Sequence, residues 1–153
     1  MHIVLIEPEI PQNTGNIART CVMTASTLHL VGELGFSLED RYLRRAGLDY
    51  WKHLQLFKYS HFEELYDSYR EHNFYFLTSK AQKNYAEIYY RKHDFLVFGK
   101  ETDGLPGDIL QRWKDCCLRI PMVKTIPRSL NLANSVAVVL FEALRQQGFP
   151  NLQ

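Results

Sequence analysis

The sequence predicts an α/β domain, a mainly parallel sheet with helices on both faces. Three observations carry that prediction. Apolar runs of strand length recur along the chain at His2 to Glu7, Leu28 to Val31, Leu54 to Tyr59, Asn73 to Thr78 and Asp94 to Phe98. Segments with helix signals alternate with them, and strands joined by helical crossovers run parallel. No internal repeat, low-complexity run or linker interrupts the pattern, so residues 1–153 read as a single domain.

Taken in order, His2 to Glu7 is a continuous apolar run broken by Pro8 and Pro11, as expected of a buried strand. A helix follows from about Asn13 to Ala25, with Asn13 or Thr14 placed to cap it. No GxGxxG or Walker-type loop precedes this helix, which weighs against dinucleotide binding and nucleotide hydrolysis. After Leu28 to Val31, Gly32-Glu33-Leu34-Gly35 forms a turn. Arg41, Arg44 and Arg45 share one face of a short helix before Gly47. Leu54 to Tyr59 is a strand, and Ser60-His61-Phe62-Glu63 is a capping box that opens a helix to about Arg70. Asn73 to Thr78 is a central strand and Asp94 to Phe98 the next one.

The last third of the chain begins with a short apolar strand at Leu118 and Ile120. A loop flanked by prolines then runs from Pro121 to Leu130, and a long helix closes at Gly148, a favourable residue just past a helix end. That helix is apolar most of the way round, leaving a narrow polar strip at Asn131, Asn134, Ser135, Glu142 and Arg145. It needs cover on two sides, and a second subunit is the simplest source.

Composition bounds the function less tightly. With 153 residues, 46% of them hydrophobic and 23% charged, the chain reads as a soluble globular domain. A domain of this size buries roughly two-thirds of its unfolded surface. A formal net charge of +1 gives no support to nucleic-acid binding, so any RNA surface is a local patch or is assembled from two subunits. Cys21, Cys116 and Cys117 suit neither a disulfide framework nor a CxxC motif, and read as reduced thiols of a cytoplasmic protein. The six histidines show no metal-ligand spacing, so no metal is expected. The apolar run in MHIVLIEPE is too short for a signal peptide or membrane span. In parallel α/β sheets ligands collect at the carboxyl ends of strands, here Leu77-Thr78, Gly99 and Ile120.

Three segments, in order, carry a resemblance. They are Asn13-Thr14-Gly15-Asn16-Ile17-Ala18-Arg19-Thr20-Cys21, Phe98 through Pro106 (FGKETDGLP), and Ile120-Pro121-Met122 through Arg128-Ser129-Leu130-Asn131-Leu132-Ala133-Asn134-Ser135. Together they resemble the three motifs of the SPOUT RNA 2′-O-methyltransferases. EPEIPQNTGNIAR and LRRAGLDYW add a likeness to the minimal single-domain branch that methylates the wobble ribose of transfer RNA. The resemblance implies a C-terminal trefoil knot, which spacing and periodicity alone would never suggest. It also implies S-adenosylmethionine as cofactor and transfer RNA as partner, while the apolar last helix and the weak net charge point to a homodimer through the C-terminal helix.

The same resemblance assigns residues. Leu77, Thr78, Gly99, Glu101, Gly104, Ile120, Met122, Ser129, Leu130 and Asn134 fall at cofactor-contacting positions. Arg19 falls at the catalytic arginine position, and Asn16, Arg19, Arg41, Arg44 and Arg45 at positions for RNA, with Tyr50 and Trp51 beside the arginine face. Each has another reading. Arg19 can brace the first loop by pairing with Glu7 or Glu9. Glu101 can cap a helix starting near Pro106, or orient Arg19 or the third motif's loop. Ser129 can be a helix N-cap, and the arginine face can be solvated and paired with Glu39 and Asp40. Lys100 stands where relatives often carry a small residue or proline, and the third motif's loop is longer than in some of them, so Ser129 and Leu130 both stay candidates for one contact. A non-catalytic RNA-binding module, or methylation at another transfer- or ribosomal-RNA site, remains the alternative function. A small-molecule enzyme on a flavodoxin-like sheet is a third class.

Overall fold

All strands of the sheet run parallel. The computed structural model describes residues 1–37, 51–123, 125–126, 128–150 and 152–153; Arg41, Arg44, Arg45 and Tyr50 lie outside the described residues. The strands are β1 (His2–Ile6), β2 (Thr27–Val31), β3 (Leu56–Tyr59), β4 (Phe74–Leu77), β5 (Phe95–Phe98) and β6 (Cys117–Leu118), in the spatial order β3-β2-β1-β5-β4-β6. Val4 faces His29 across one ladder and Val97 across the other. The centre of the sheet is therefore β1 with β5, whose apolar side chains are buried on both faces. The strand at Phe74–Leu77, expected to be central, lies next to the short edge strand β6 and buries only alternate residues.

The side-chain period of a strand sorts the core into two layers. Ile3, Leu5, Leu96 and Phe98 point to one face, where α1 (Pro11–Met23) contributes Ile17, Ala18 and Cys21. A second helix on that face, Leu132–Gln146, contributes Val136, Val139, Leu140, Ala143 and Leu144. Val4, Ile6, Phe95 and Val97 point to the opposite face, covered by α2 (Phe62–Ser68) and α3 (Gly107–Arg112). The Leu132–Gln146 helix is α4. Each fully buried aliphatic side chain adds about 1.5–3 kcal/mol, so α4 is held chiefly by this face. Its far side exposes Val138 and Phe141, which fits the expectation of a helix apolar on two sides.

Several boundaries differ from expectation, each for a local reason. Helix α1 starts at Pro11, whose missing N–H costs nothing in a first turn. Ile10 holds the N-cap position without a side-chain cap, while Asn13 and Thr14 are buried inside the helix. The expected Ser60 capping box does not form: His61 holds the N-cap position of α2 without a side-chain cap, Glu64 Oε2 accepts instead from the Ser60 N–H at 3.0 Å, and the helix runs only to Ser68. Ser129 is not the cap of α4. Asn131 is, its Oδ1 accepting from the N–H groups of Ala133 and Asn134 at 2.9 and 3.3 Å. Gly148 ends α4 as expected, with φ +71 and its N–H donating to the Arg145 carbonyl.

His2, at the amino end of β1, and His29, in the middle of β2, stand on the α2 face, with His2 Nδ1 2.9 Å from His29 Nε2, so one ring donates and the other accepts. His2 stacks on Phe95 and His29 on Phe57. Burial, with the His29 ring beside it, pushes His2 down to about 3, and burial pushes His29 down to about 4. Unfolded histidine titrates near pH 6.5. Between that pH and the folded values the unfolded chain binds protons that the folded chain refuses, so stability is full above about pH 6.5 and falls as the medium is acidified. Urea midpoints measured from about pH 7.5 down to about pH 4 are expected to decline, and a His29→Gln variant to flatten the decline by up to about 1.4 kcal/mol per pH unit.

Candidate active site

The carboxyl ends of β4, β5 and β6 open into a cavity of about 420 Å³. Leu77 and Thr78 come from the end of β4, Gly99, Glu101 and Gly104 from the loop after β5, and Ile120, Met122, Ser129 and Leu130 from the segment after β6. The structure thus gathers nine of the ten expected cofactor residues around one space. The tenth, Asn134, does not line it: Asn131, Leu132 and Ser135 present the first turn of α4 there, and the Asn134 N–H is turned to Asn131 Oδ1.

Each wall has a backbone reason. The Thr78 N–H donates to the Leu118 carbonyl at 2.9 Å, tying the end of β4 to β6. A Cβ at Gly99 would sit 2.1 Å from the Gly104 carbonyl carbon, so glycine alone permits the loop to fold back on itself. Gly104 closes that loop at φ +75, donating its N–H to the Lys100 carbonyl at 3.0 Å. Lys100 is accommodated because its Nζ lies 3.3 Å from Glu7 Oε2.

Glu101 is the hub. Its Oε2 accepts from the Glu9 N–H at 2.8 Å; its Oε1 accepts from the Ile10 N–H at 3.3 Å and from Asn13 Nδ2 at 2.9 Å. Asn13 Oδ1 accepts in turn from Asn131 Nδ2 at 2.8 Å. The carboxylate therefore lies at the start of α1, where the helix dipole favours negative charge, and it braces the third motif's segment through Asn13. Of the two readings of Glu101, orientation stands in that form. Capping near Pro106 does not, since α3 starts with Pro106 at its N-cap position and no side-chain cap.

Arg19 is placed apart from this cavity. It lies on the exposed face of α1, in line with Gln12, Asn16 and Met23 at helical spacing. Glu7 faces Lys100, and Glu9 accepts from the Thr102 N–H and hydroxyl at 3.2 and 2.8 Å. Ile10, Asn13 and Lys80 also line the cavity, and sequence reasoning missed them as site residues. Asn13 carried a signal, a polar residue inside the first motif, but its spacing fitted a helix cap equally well.

The model of the SpoU rRNA Methylase family matches residues 1–141. The chain belongs to the SpoU rRNA methylase family. This accords with the resemblance carried by the three motif segments. Among SpoU relatives, a Bacillus subtilis (strain 168) protein is 48% identical over 100% of this chain and 97% of its own. The Escherichia coli (strain K12) protein named tRNA (cytidine(34)-2′-O)-methyltransferase is 42% identical over 98% of this chain and 96% of its own. A solved structure concerned with 2-OH methylation of C/U34 on tRNA superposes with a TM-score of 0.91 at 41% identity, over 96% of this chain and 95% of that one. The AdoMet-bound rRNA methyltransferase of Sinorhizobium meliloti superposes with a TM-score of 0.81 at 26% identity, over 94% of this chain and 55% of that one.

The close approach at Gly99 makes a direct prediction. Gly99→Ala drives a methyl group into backbone and should cost about 2 kcal/mol or more, whereas Gly107→Ala, with nothing within 4 Å of its Cβ, should shift stability by less than about 0.5 kcal/mol. Thermal unfolding of the two variants side by side checks this.

Proposed function

We propose that this protein is an S-adenosylmethionine-dependent methyltransferase acting on the ribose 2′-oxygen of the first anticodon cytidine or uridine of transfer RNA. The observation that carries the proposal is the strand-end cavity, walled by all three motif segments, in a chain that matches tRNA (cytidine(34)-2′-O)-methyltransferase of Escherichia coli along nearly its full length. The lining suits the cofactor. Leu77, Ile120, Met122 and Leu130 offer apolar walls for a purine ring, and the turns around Gly99 and Gly104 bring main-chain donors and acceptors to the same space. Ser129 and Leu130 both line it, so either is placed to make the third motif's contact. A trefoil knot formed by the segment after β6 would fix these loops against one another.

The cofactor supplies a methyl group already activated on a sulfonium, so the protein's task is alignment and charge. A ribose hydroxyl is a poor nucleophile, and holding it in line is worth several kcal/mol. Arg19 is unsuited to take the proton, because a guanidinium is a permanent cation with five N–H donors and no acceptor. Gripping the phosphate beside the target ribose fits it better, with phosphate or water accepting the proton. Asn16, one turn before Arg19 on the same exposed face, extends that grip.

A homodimer through α4 completes the proposal. Val138 and Phe141 on α4 and Met23 on α1 are exposed apolar residues on neighbouring, mutually packed helices, and a second copy of the chain covers them. It also lets Arg19 of one subunit and the basic residues of the other flank one anticodon arm, which answers the weak net charge. The proposed setting is the cytoplasm: all three cysteines are free thiols, and no helix among the described residues is long and apolar enough to cross a membrane. Among those residues no cluster of His, Cys, Asp or Glu suits a metal ion.

Labelled S-adenosylmethionine incubated with small RNA from cells lacking this gene should place label in 2′-O-methylated cytidine or uridine. Arg19→Ala should lower the rate on the order of 100-fold with the fold intact. Binding of S-adenosylhomocysteine without any label in RNA would contradict the substrate assignment. Light scattering should give a mass near twice that of the 18.0 kDa chain, and Phe141→Asp should reduce it to one chain.

A further inference from the structure

A groove of about 490 Å³ opens beside the cavity. Arg128 and Ser129 belong to both walls, while Arg119, Pro121, Val123 and Ile126 line the groove alone. Its chemistry differs from that of the cavity. The cavity carries Glu101 and Asp103, whereas the described residues of the groove include two guanidiniums and no carboxylate. Neither arginine takes part in an ion pair among the described residues, although Arg70, Arg112 and Arg145 each pair with an acid. Arg119 is half-buried and braced from behind: its Nε donates to Asn84 Oδ1 at 3.2 Å, and Asn84 Nδ2 donates to Glu87 Oε1 at 2.6 Å. The chain at Lys83–Tyr85 holds the Arg119 backbone on both sides, through Arg119 N–H to the Lys83 carbonyl and Tyr85 N–H to the Arg119 carbonyl, both 2.9 Å. A fixed guanidinium with one edge used and its outer edge turned to a groove is preorganised for an oxyanion.

The rest of the groove is apolar and open. Val123 is 67% exposed and Ile126 58% exposed, with Pro121 beside them. A ligand that satisfies both halves joins an anion to a flat apolar face, and that is the chemistry of one nucleotide in a single-stranded segment. We infer that the groove seats a nucleotide adjacent to the target ribose, its phosphate against Arg119 and Arg128 and its base on the Pro121, Val123 and Ile126 shelf. The inference rests on the proposed methylation of RNA. It supplies a local basic patch that the net charge of +1 does not reveal, and the wall shared with the cavity puts the two sites in register.

The test uses the full chain, an anticodon stem-loop RNA and S-adenosylhomocysteine, with Arg119→Gln, Arg119→Lys and Arg128→Gln variants. Anisotropy titrations should show Arg119→Gln weakening RNA binding about tenfold and lowering the salt slope of log Kd by about 0.7–0.9. Arg119→Lys should keep the slope and recover part of the affinity. Calorimetry should give the same S-adenosylhomocysteine affinity for Arg119→Gln as for the wild type, within about twofold, because Arg119 lies outside the cavity. Unchanged RNA affinity and salt slope in both Gln variants would overturn the inference. So would loss of S-adenosylhomocysteine binding with RNA binding intact, which would assign the groove to the cofactor's carboxylate. If the wild type methylates RNA while Arg119→Gln binds and turns over equally well, only the groove falls; if the wild type neither binds nor methylates RNA, the proposed function falls with it.

Discussion

The hydrogen-bond chain from Glu101 through Asn13 to Asn131 is the constraint on which the rest of the site depends. Its direction is forced from both ends. The N–H groups of Ala133 and Asn134 can only donate, so Asn131 must turn its oxygen to them and its amide nitrogen to Asn13. A carboxylate only accepts, so Asn13 must turn its nitrogen to Glu101 and its oxygen to Asn131. Every amide in the relay has one orientation that satisfies it, and Asn13 is buried. A wrong rotamer at Asn13 would leave its buried amide facing the wrong partners, at about 1–3 kcal/mol.

That relay joins segments 88 and 118 positions apart in sequence. The sheet delivers the ends of β4, β5 and β6 to one edge, and the relay then sets where α1 and α4 begin relative to the loop after β5. Polar contacts do the fine placement, while the two apolar layers supply most of the stability. Helix α1 serves both purposes: Ile17, Ala18 and Cys21 face the sheet, Asn13 faces the relay, and Asn16 and Arg19 face outward.

Fold class was legible because buried parallel strands announce themselves as unbroken apolar runs, as at Ile3 to Ile6 and Phe95 to Phe98. Strand order was not, since nothing local says that β5 inserts between β1 and β4. The errors at helix starts share one cause. Local cap signals at Asn13, Thr14 and Ser129 were read without their competitors: Pro11 starts α1 earlier, Glu101 takes the N–H of Ile10 at the N-cap position from 91 positions away, and Asn131 caps α4 in place of Ser129. The cavity's lining was legible through the three motifs, but the place of Asn13 and Asn131 in one relay was not, because the motifs carry no record of their mutual geometry. The His2 and His29 pair and the Arg119 groove were equally invisible, the first joining residues 27 positions apart and the second sitting one residue beyond an ordinary strand end.

The most direct test of this account is a double-mutant cycle on Glu101 and Asn131, read as S-adenosylhomocysteine affinity by calorimetry. Glu101→Gln and Asn131→Ala are each expected to weaken binding about tenfold or more, because each breaks the same chain of bonds. If the relay acts as a unit, the double variant should bind little worse than either single one, with a coupling energy of about 1 kcal/mol or more. Strictly additive losses would mean that the two residues act separately, and the relay would not be what holds the site together.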